Sequence, residues 1–237
     1  MKPQLTIVIP CWNEAAHLPA LLTAWAALHV AGDAWELILV DNGSTDDSAQ
    51  ILAQALPHYP FLRVVTVPPP NVGYGHGILT GLQLARGDVL AWTHADGQTP
   101  PADVLRAWDV WRDSPTPAKT LVKGRRRDRP LADVAFTTGM SLWATALLGT
   151  PLHDINAQPK LFPRTLLAEF RDPPQDLSLD VYVLWLARRH GYTVQTLDVA
   201  FGPRAHGESR WATSLPARAR AVRRTIGLLW QLRGRKL

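Results

Sequence analysis

The chain has 237 residues, of which 46% are hydrophobic, and a formal net charge of +5. This length and apolar content predict a soluble globular protein with one domain, or one domain and an appendage. The single cysteine, Cys11, excludes an intrachain disulfide. The N-terminus lacks the charged and apolar regions of a secretory signal, so we expect a cytoplasmic protein.

The charge is unevenly distributed along the chain. Residues 204–237 hold nine Lys or Arg and one acid, a net +8, so the preceding 203 residues carry −3. Such asymmetry indicates a terminal segment that faces an anionic partner, either nucleic acid or a membrane surface. A solvated helix face is the alternative interpretation.

The first half of the chain alternates strand and helix patterns. Apolar runs rich in β-branched residues predict strands at 5–9, 36–40, 62–67 and 88–92. Apolar residues at helical spacing follow the first two runs and predict helices there. This order predicts an α/β fold, with a mostly parallel central sheet covered by helices on both faces.

A polar loop follows each of these four strands. The loops read "PCWNE", "DNGSTDD", "PPPNVGYGHG" and "THADGQT". In open parallel sheets, ligands bind at the carboxyl ends of the strands, so one crevice would collect all four loops. Ordinary turns explain any one of these loops, but they explain four together poorly.

The second half is predicted to add further strands and helices. A strand enters the basic loop "KGRRRDR", "DINAQPKLFP" returns to the sheet, and "LSLDVYVLWLARRHGY" is an amphipathic helix. The apolar stretch from Val134 is broken by Thr, Ser and Gly and is shorter than the roughly 20 residues that span a bilayer, so we expect buried or interfacial helices there. Residues 213–237 form a predicted basic amphipathic helix.

Two of the loops carry acids suited to a nucleotide and its metal. Asp41 ends the second strand, where a carboxylate commonly accepts hydrogen bonds from a base or ribose. His94, Asp96 and Gln98 alternate along an extended chain, so they could share one side and hold a metal or phosphate. A polar loop that caps the next helix is the alternative. A cation at Asp96 would neutralise charge on a departing diphosphate.

A known family shows these motifs in the same order. They read "IVIPCWNE", "LVDNGSTDDS", "NVGYGHGILTGLQLARGD", "THADGQ", "VKGRR", "DINAQPKLF", "LDVYVLWLARRHGY" and "RAHGESRW". In them the chain resembles the family 2 glycosyltransferases of the GT-A fold, and among these the dolichyl-phosphate mannose synthase and polyprenyl-phosphate glycosyltransferase branch. The resemblance covers nearly the whole chain.

The resemblance implies a donor pocket and a metal site. The nucleotide-sugar pocket is expected to contain Pro10, Trp12, Glu14, Asp41, Gly73, Gly75 and Asp96. Asp96 and Gln98 match the metal positions of the family's D-x-D-x-Q pattern, and His94 replaces the first Asp. Imidazole suits Mn²⁺ better than Mg²⁺, so either the metal preference shifts or His94 only touches the donor. A weakly held cation is the third possibility, and an inactive site is the alternative to a working site with Asp96 as the principal ligand.

The resemblance also implies an acceptor phosphate site built from arginines. In the "KGSR" element, Arg126 keeps the family's position and Arg125 replaces Ser. Arg204 and Arg210 match the R-x-x-G-x-S-[KR] pattern. Arginine suits phosphate because its planar fork offers paired donors. A solvated loop or a nucleic-acid patch is the alternative, although no nucleic-acid motif accompanies these residues and no such partner is expected.

The acceptor decides what the catalytic residues must do. A hydroxyl acceptor needs a general base, for which Asp154 and Asp180 are the candidates. A polyprenyl phosphate is already ionised, so positioning and charge stabilisation suffice. Asp96 and Arg126 complete the predicted catalytic set. A solvated helix face is the alternative for Asp180.

The sequence therefore predicts an inverting glycosyltransferase. It would transfer a sugar from a nucleotide-diphosphate sugar, GDP-mannose or a UDP-sugar, to a polyprenyl or dolichyl phosphate, with Mn²⁺ or Mg²⁺. Residues 1–212 would form the catalytic domain, with a donor half at 1–115 and an acceptor half at 116–212. The basic helix would bind peripherally at the cytoplasmic membrane face. A family 2 enzyme with a saccharide hydroxyl acceptor and an inactive nucleotide-sugar-binding module are the alternatives.

Overall fold

The computed structural model describes residues 2–28, 35–127, 131–200, 202 and 215–235. Over this part of the chain it contains seven strands and eight α-helices. The strands are β1 Leu5–Cys11, β2 Trp35–Asn42, β3 Leu62–Val67, β4 Val89–Trp92, β5 Thr120–Arg126, β6 Lys160–Pro163 and β7 Thr193–Val199. The helices are α1 Leu18–Leu28, α2 Ser48–Ala55, α3 Tyr74–Leu84, α4 Ala102–Arg112, α5 Leu131–Leu148, α6 Arg164–Leu167, α7 Leu179–Arg189 and α8 Leu215–Gly234.

All seven strands join one sheet in the order β3-β2-β1-β4-β6-β5-β7. Strands β1 to β4 pair in parallel, β5 pairs in parallel with β7, and β6 runs antiparallel to both β4 and β5. Six strands therefore share one direction, and their carboxyl ends lie along the same edge. The predicted mostly parallel sheet is confirmed, and the four polar loops that follow β1 to β4 leave the sheet at this edge.

Alternation along the strands builds a core on each face of the sheet. In β1, Val8 joins a cluster with α3 and α7, whereas Ile7 and Ile9 join a second cluster with α1 and α4. All three side chains are fully buried. Burial on both faces explains why the strands read as continuous apolar runs rather than as alternating patterns.

The last helix, α8, packs against α5. Leu229 and Leu232 of α8 are buried, whereas Trp230 is 55% exposed. On α5, Leu142 and Trp143 are exposed by 61% and 46%. No helix within the described part of the chain is both long enough and apolar enough to cross a bilayer. The predicted boundaries between the donor half, the acceptor half and the C-terminal helix, after residues 115 and 212, stay predictions.

Candidate active site

The ends of β1 and β2 are tied together by a network of loop hydrogen bonds. Asp41 is 2% exposed, and its Oδ1 accepts a bond from the Ser44 amide at 3.1 Å. Asn13 adopts a left-handed backbone with φ of 54°, and its Oδ1 accepts a bond from the Thr45 amide at 2.7 Å. These bonds fix the loop beside Trp12, which is 37% exposed.

Glu14 lies at the start of the same loop and is held from two sides. Its backbone amide donates to Ser48 Oγ at 3.0 Å, and its carboxylate pairs with His17 Nδ1 at 2.7 Å. Sequence reasoning identified Pro10 and Glu14 here but missed His17.

Burial, with the nearby carboxylates, raises the pKa of the Cys11 thiol to about 12, so this cysteine stays protonated.

Gly73 and Gly75 let a neighbouring segment approach the start of α3. At Gly73, where φ is 148°, a Cβ would lie 2.4 Å from the carbonyl oxygen of Gln175. At Gly75 it would lie 2.6 Å from the carbonyl oxygen of Pro174. Both glycines therefore serve close backbone packing, and this packing places the 174–176 segment beside the predicted donor pocket.

His94, Asp96 and Gln98 follow β4 directly. Asp96 is 8% exposed, and its Oδ1 accepts a bond from the Gln98 amide at 3.2 Å. The Gln98 side chain donates to the carbonyl of Gly202 at 2.9 Å, which links this loop to the chain beyond β7. Burial lowers the pKa of His94 and so favours the neutral imidazole, the form that can bind a metal.

Asp96 and His94 could hold a cation only if other ligands completed its coordination. Within the described residues, no group of three or more His, Cys, Asp or Glu side chains could hold a metal ion alone. Enzymes that act on nucleotides commonly bind Mg²⁺ through one or two carboxylates and complete its coordination with substrate phosphates and water. Asp96 supplies a hard oxygen, and neutral His94 could add one nitrogen.

Arg126 and Asp154 form a close ion pair at the end of β5. Asp154 accepts hydrogen bonds from the Arg126 backbone amide at 2.7 Å and from its Nε at 3.0 Å, and it also contacts Nη2. The two side chains are only 13% and 10% exposed. The backbone of Asp154 is left-handed, with φ of 41°. The pair fixes both the strand end and the orientation of the guanidinium.

Arg125 has a different environment. Its Nε donates to Asp198 Oδ1 at 2.5 Å, and Arg127 pairs with the other oxygen of the same carboxylate at 2.6 Å. These arginines lower the pKa of Asp198 to about 2. Adjacent strand residues face opposite sides of a sheet, so Arg125 and Arg126 do not form one cluster. Arg204 and Arg210 lie outside the described residues.

Asp180 lies in a buried polar network. Its Oδ1 pairs with Lys160 Nζ at 2.7 Å, and the two side chains are 1% and 0% exposed. Gln158 Nε2 lies 3.2 and 3.3 Å from the two carboxylate oxygens and 3.0 Å from the hydroxyl of Tyr74. Lys123 stands opposite Lys160 across β5 and β6 and is 2% exposed.

Sequence reasoning missed these lysines, together with Gln158 and Tyr74. A signal was present, because "LVKG" and "PKLFP" each place a lysine inside an apolar strand. Lysine is almost never fully buried unless it is paired.

The fold and the site define a class of protein. The mostly parallel sheet brings a buried acid, glycine-containing turns and a loop with candidate metal ligands to one edge. This is the arrangement of a nucleotide-diphospho-sugar transferase of the GT-A fold. The chain belongs to glycosyl transferase family 2, because the model of that family matches residues 6–133, more than half of the chain. It is a glycosyltransferase.

Curated relatives extend the match beyond that region. The chain is 31% identical over 221 residues to an uncharacterized glycosyltransferase of Mycobacterium tuberculosis, covering 89% of this chain and 91% of the relative. It is 29% identical over 227 residues to an undecaprenyl-phosphate 4-deoxy-4-formamido-L-arabinose transferase of Pseudomonas paraeruginosa. That match covers 90% of this chain and 62% of the relative.

Solved structures share the fold. Glucosyl-3-phosphoglycerate synthase from Mycobacterium tuberculosis, in complex with Mn²⁺, UDP and phosphoglyceric acid, superposes with a TM-score of 0.75 at 23% identity. The superposition covers 99% of this chain and 80% of that one. A mannosyltransferase from Pyrobaculum calidifontis with GDP-Man and Mn²⁺ gives a TM-score of 0.68 at 20% identity, covering 98% and 65%. These likenesses confirm the predicted GT-A fold.

Proposed function

We propose that this glycosyltransferase moves one sugar from a nucleotide-diphosphate sugar to a lipid-linked phosphate of the polyprenyl type, with inversion at the anomeric carbon. The observation that carries the proposal is the pairing of both candidate bases. Asp154 binds Arg126, and Asp180 binds Lys160. A carboxylate that is already bound to a cation is not free to take a proton from an acceptor hydroxyl, whereas an ionised phosphate acceptor needs no base. The undecaprenyl-phosphate relative supports the same acceptor class.

The donor side of the crevice would hold the nucleotide. Asp41 is the proposed partner of the base or ribose, with Trp12 and Glu14 in the adjoining loop. Asp96 and His94 would hold a divalent cation, which supplies charge neutralisation for the diphosphate when bound. The neighbours solved with UDP or GDP-Man and Mn²⁺ agree with this assignment.

The acceptor side would bind the phosphate through Arg126. Asp154 already orients this guanidinium, so its fork needs little rearrangement to meet an oxyanion. A phosphate oxygen attacks the anomeric carbon, the bond from that carbon to the diphosphate oxygen breaks, and the nucleoside diphosphate leaves with the electron pair. Arg204 and Arg210 remain proposed contributors to phosphate binding, whereas Arg125, which is held by Asp198, is expected to contribute little.

A membrane-binding surface of the protein would bring the lipid acceptor to the site. We propose that α5 and α8 form this surface, with exposed Trp143 on α5 and exposed Trp230, Arg223 and Arg224 on α8. Tryptophan suits the bilayer interface and arginine suits anionic headgroups.

Sedimentation with phosphatidylglycerol vesicles tests this surface. We expect binding at low salt that falls at high salt and is reduced by the double change Arg223→Glu and Arg224→Glu. The matched control reverses Arg188 and Arg189, which are exposed at the end of α7, and should bind like the parent. Equal loss in both double variants would show only a general effect of net charge, and no binding at any salt would contradict the proposal.

The acceptor is tested by release of nucleoside diphosphate. Purified protein would be given UDP- and GDP-sugars with Mn²⁺ or Mg²⁺, together with a short polyprenyl phosphate, the polyprenol of the same length, a saccharide, or no acceptor. Release that requires the phosphate would support the proposal and identify the donor. Release with the alcohol or with a saccharide would favour a hydroxyl acceptor. Nucleotide binding without release under any condition would favour an inactive binding module.

A further inference from the structure

Tyr74 connects the proposed metal loop to the buried network around Asp180. Its ring packs on the ring of His94 with 5.5 Å between centroids and 35° between planes. This spacing lies within the range of favourable aromatic pairs, which are worth roughly 0.5 to 1.5 kcal/mol beyond their buried area. Tyr74 therefore limits the rotamers that His94 can adopt.

The hydroxyl of Tyr74 is itself held in place. It accepts a hydrogen bond from Gln158 Nε2 at 3.0 Å, and the same amide bonds the carboxylate of Asp180. Asp180 is fixed in turn by Lys160 at 2.7 Å. The chain of contacts runs from a fully buried ion pair to the imidazole beside Asp96. The hydrogen bonds and the ion pair limit the motion of Tyr74 and Asp180.

We propose that Tyr74 is a positioning residue that holds His94 as a nitrogen ligand of the cation and thereby sets a preference for Mn²⁺ over Mg²⁺. The inference rests on the proposed cation at Asp96 and His94. Imidazole nitrogen is accepted more readily by transition metals, whereas Mg²⁺ prefers an all-oxygen octahedron. A loosely held imidazole would leave the site with Asp96, phosphate and water oxygens, which removes the advantage of Mn²⁺.

This inference gives Asp180 a role other than that of a base. Its carboxylate would act through Gln158 and Tyr74 on the metal loop. Removal of Asp180 would then lower turnover for either acceptor class, so loss of activity in an Asp180 variant would not by itself show general base catalysis. A metal-binding measurement separates the two roles, because a base has no effect on metal preference.

Direct metal binding tests the proposal. Mn²⁺ and Mg²⁺ affinities of the full chain would be measured with UDP and with GDP present, Mn²⁺ by its electron paramagnetic resonance signal and Mg²⁺ by competition. Tyr74→Leu, which removes the ring, is expected to lower Mn²⁺ affinity by about 10- to 100-fold, as loss of an orienting partner commonly does. Mg²⁺ affinity should change little, so the ratio of the two falls. Tyr74→Phe keeps the ring, so its ratio of Mn²⁺ to Mg²⁺ affinity should lie between those of Tyr74→Leu and the parent.

Tyr59→Leu is the matched control, because Tyr59 packs on Phe61 away from the site. It should keep the metal preference of the parent. An unchanged Mn²⁺ to Mg²⁺ ratio in both Tyr74 variants would overturn the proposal, as would an equal loss of both metals, which indicates only structural damage. A parent chain that binds neither metal with either nucleotide would refute the proposed cation site itself, a separate result.

Discussion

Replacement of Lys123 by Met should stabilise the protein, and the gain should depend on pH. Lys123 is 2% exposed and faces Lys160 across the sheet. Burial is the main cause that lowers its pKa, from the usual 10.5 to about 7. Lys160 and Arg126 lower it further, whereas Asp154 and Asp180 act in the opposite direction.

The difference in pKa sets the size and sign of the effect. The pKa falls by 3.5, from 10.5 to about 7. Since each pKa unit corresponds to about 1.4 kcal/mol, burial of Lys123 lowers the free energy of unfolding by on the order of 5 kcal/mol below pH 7. Between pH 7 and 10.5 the unfolded chain keeps its proton at Lys123 and the folded chain does not. Stability therefore rises with pH across that window, and the cost disappears above it.

Urea unfolding at several values between pH 6 and pH 10 checks this reasoning. Lys123→Met should raise the free energy of unfolding by several kcal/mol at pH 6, and the gain should shrink steadily towards pH 10. Lys119→Met is the control, because Lys119 is exposed beside the same strand; its effect should be small at every pH. A gain from Lys123→Met that is the same at all pH values, or a loss at pH 6, would refute the reasoning.

Three further predictions concern the same edge of the sheet. Gly124→Ala should lower the free energy of unfolding by about 3 kcal/mol or more in thermal or urea unfolding, because its Cβ would lie 2.0 Å from the backbone oxygen of Gln158. Arg126→Lys should reduce kcat/KM for the phosphate acceptor by roughly 10- to 100-fold through loss of the bidentate fork, whereas Arg125→Lys should change it little; equal losses would contradict the separate roles. His94→Asp should shift the metal preference of turnover towards Mg²⁺, and activity that appears only in this variant would support the inactive-module alternative.

The part of the fold that the sequence predicted well rests on strong local signals. Strands β1 to β4 are apolar runs between helices, and parallel pairing then brings their carboxyl ends to one edge, so the crevice followed from the pattern. The direction and place of β6 were not predicted. A strand of four residues carries no information about whether it runs parallel or antiparallel, and β6 enters the sheet between β4 and β5.

The pairings within the site could not be predicted, because the partners are distant in sequence. Arg126 and Asp154 are 28 positions apart, and Gln98 and Gly202 are 104 apart. Sequence reasoning named Arg126 and Asp154 but assigned them separate roles, and it grouped Arg125 with Arg126. Strand alternation was a local rule that could have separated the two arginines.

The charges at this edge of the sheet would suit the two proposed phosphate-bearing ligands. On the proposed donor side, the buried carboxylate of Asp96 would attract a cation and, through it, a diphosphate. On the proposed acceptor side, Arg126 pairs with Asp154 and Lys160 with Asp180, and protonation of Lys123 would add a further positive charge.

Lys123 has a pKa of about 7, so it gains or loses this charge near neutral pH. A phosphate bound beside Arg126 would stabilise the protonated form of Lys123, and we therefore expect uptake of protons when the acceptor binds at pH 7 to 8. A neutral alcohol would cause none, because it brings no charge to compensate. Calorimetry in buffers of different ionisation enthalpy measures this uptake, and an equal result for polyprenyl phosphate and polyprenol would contradict a phosphate site next to Lys123.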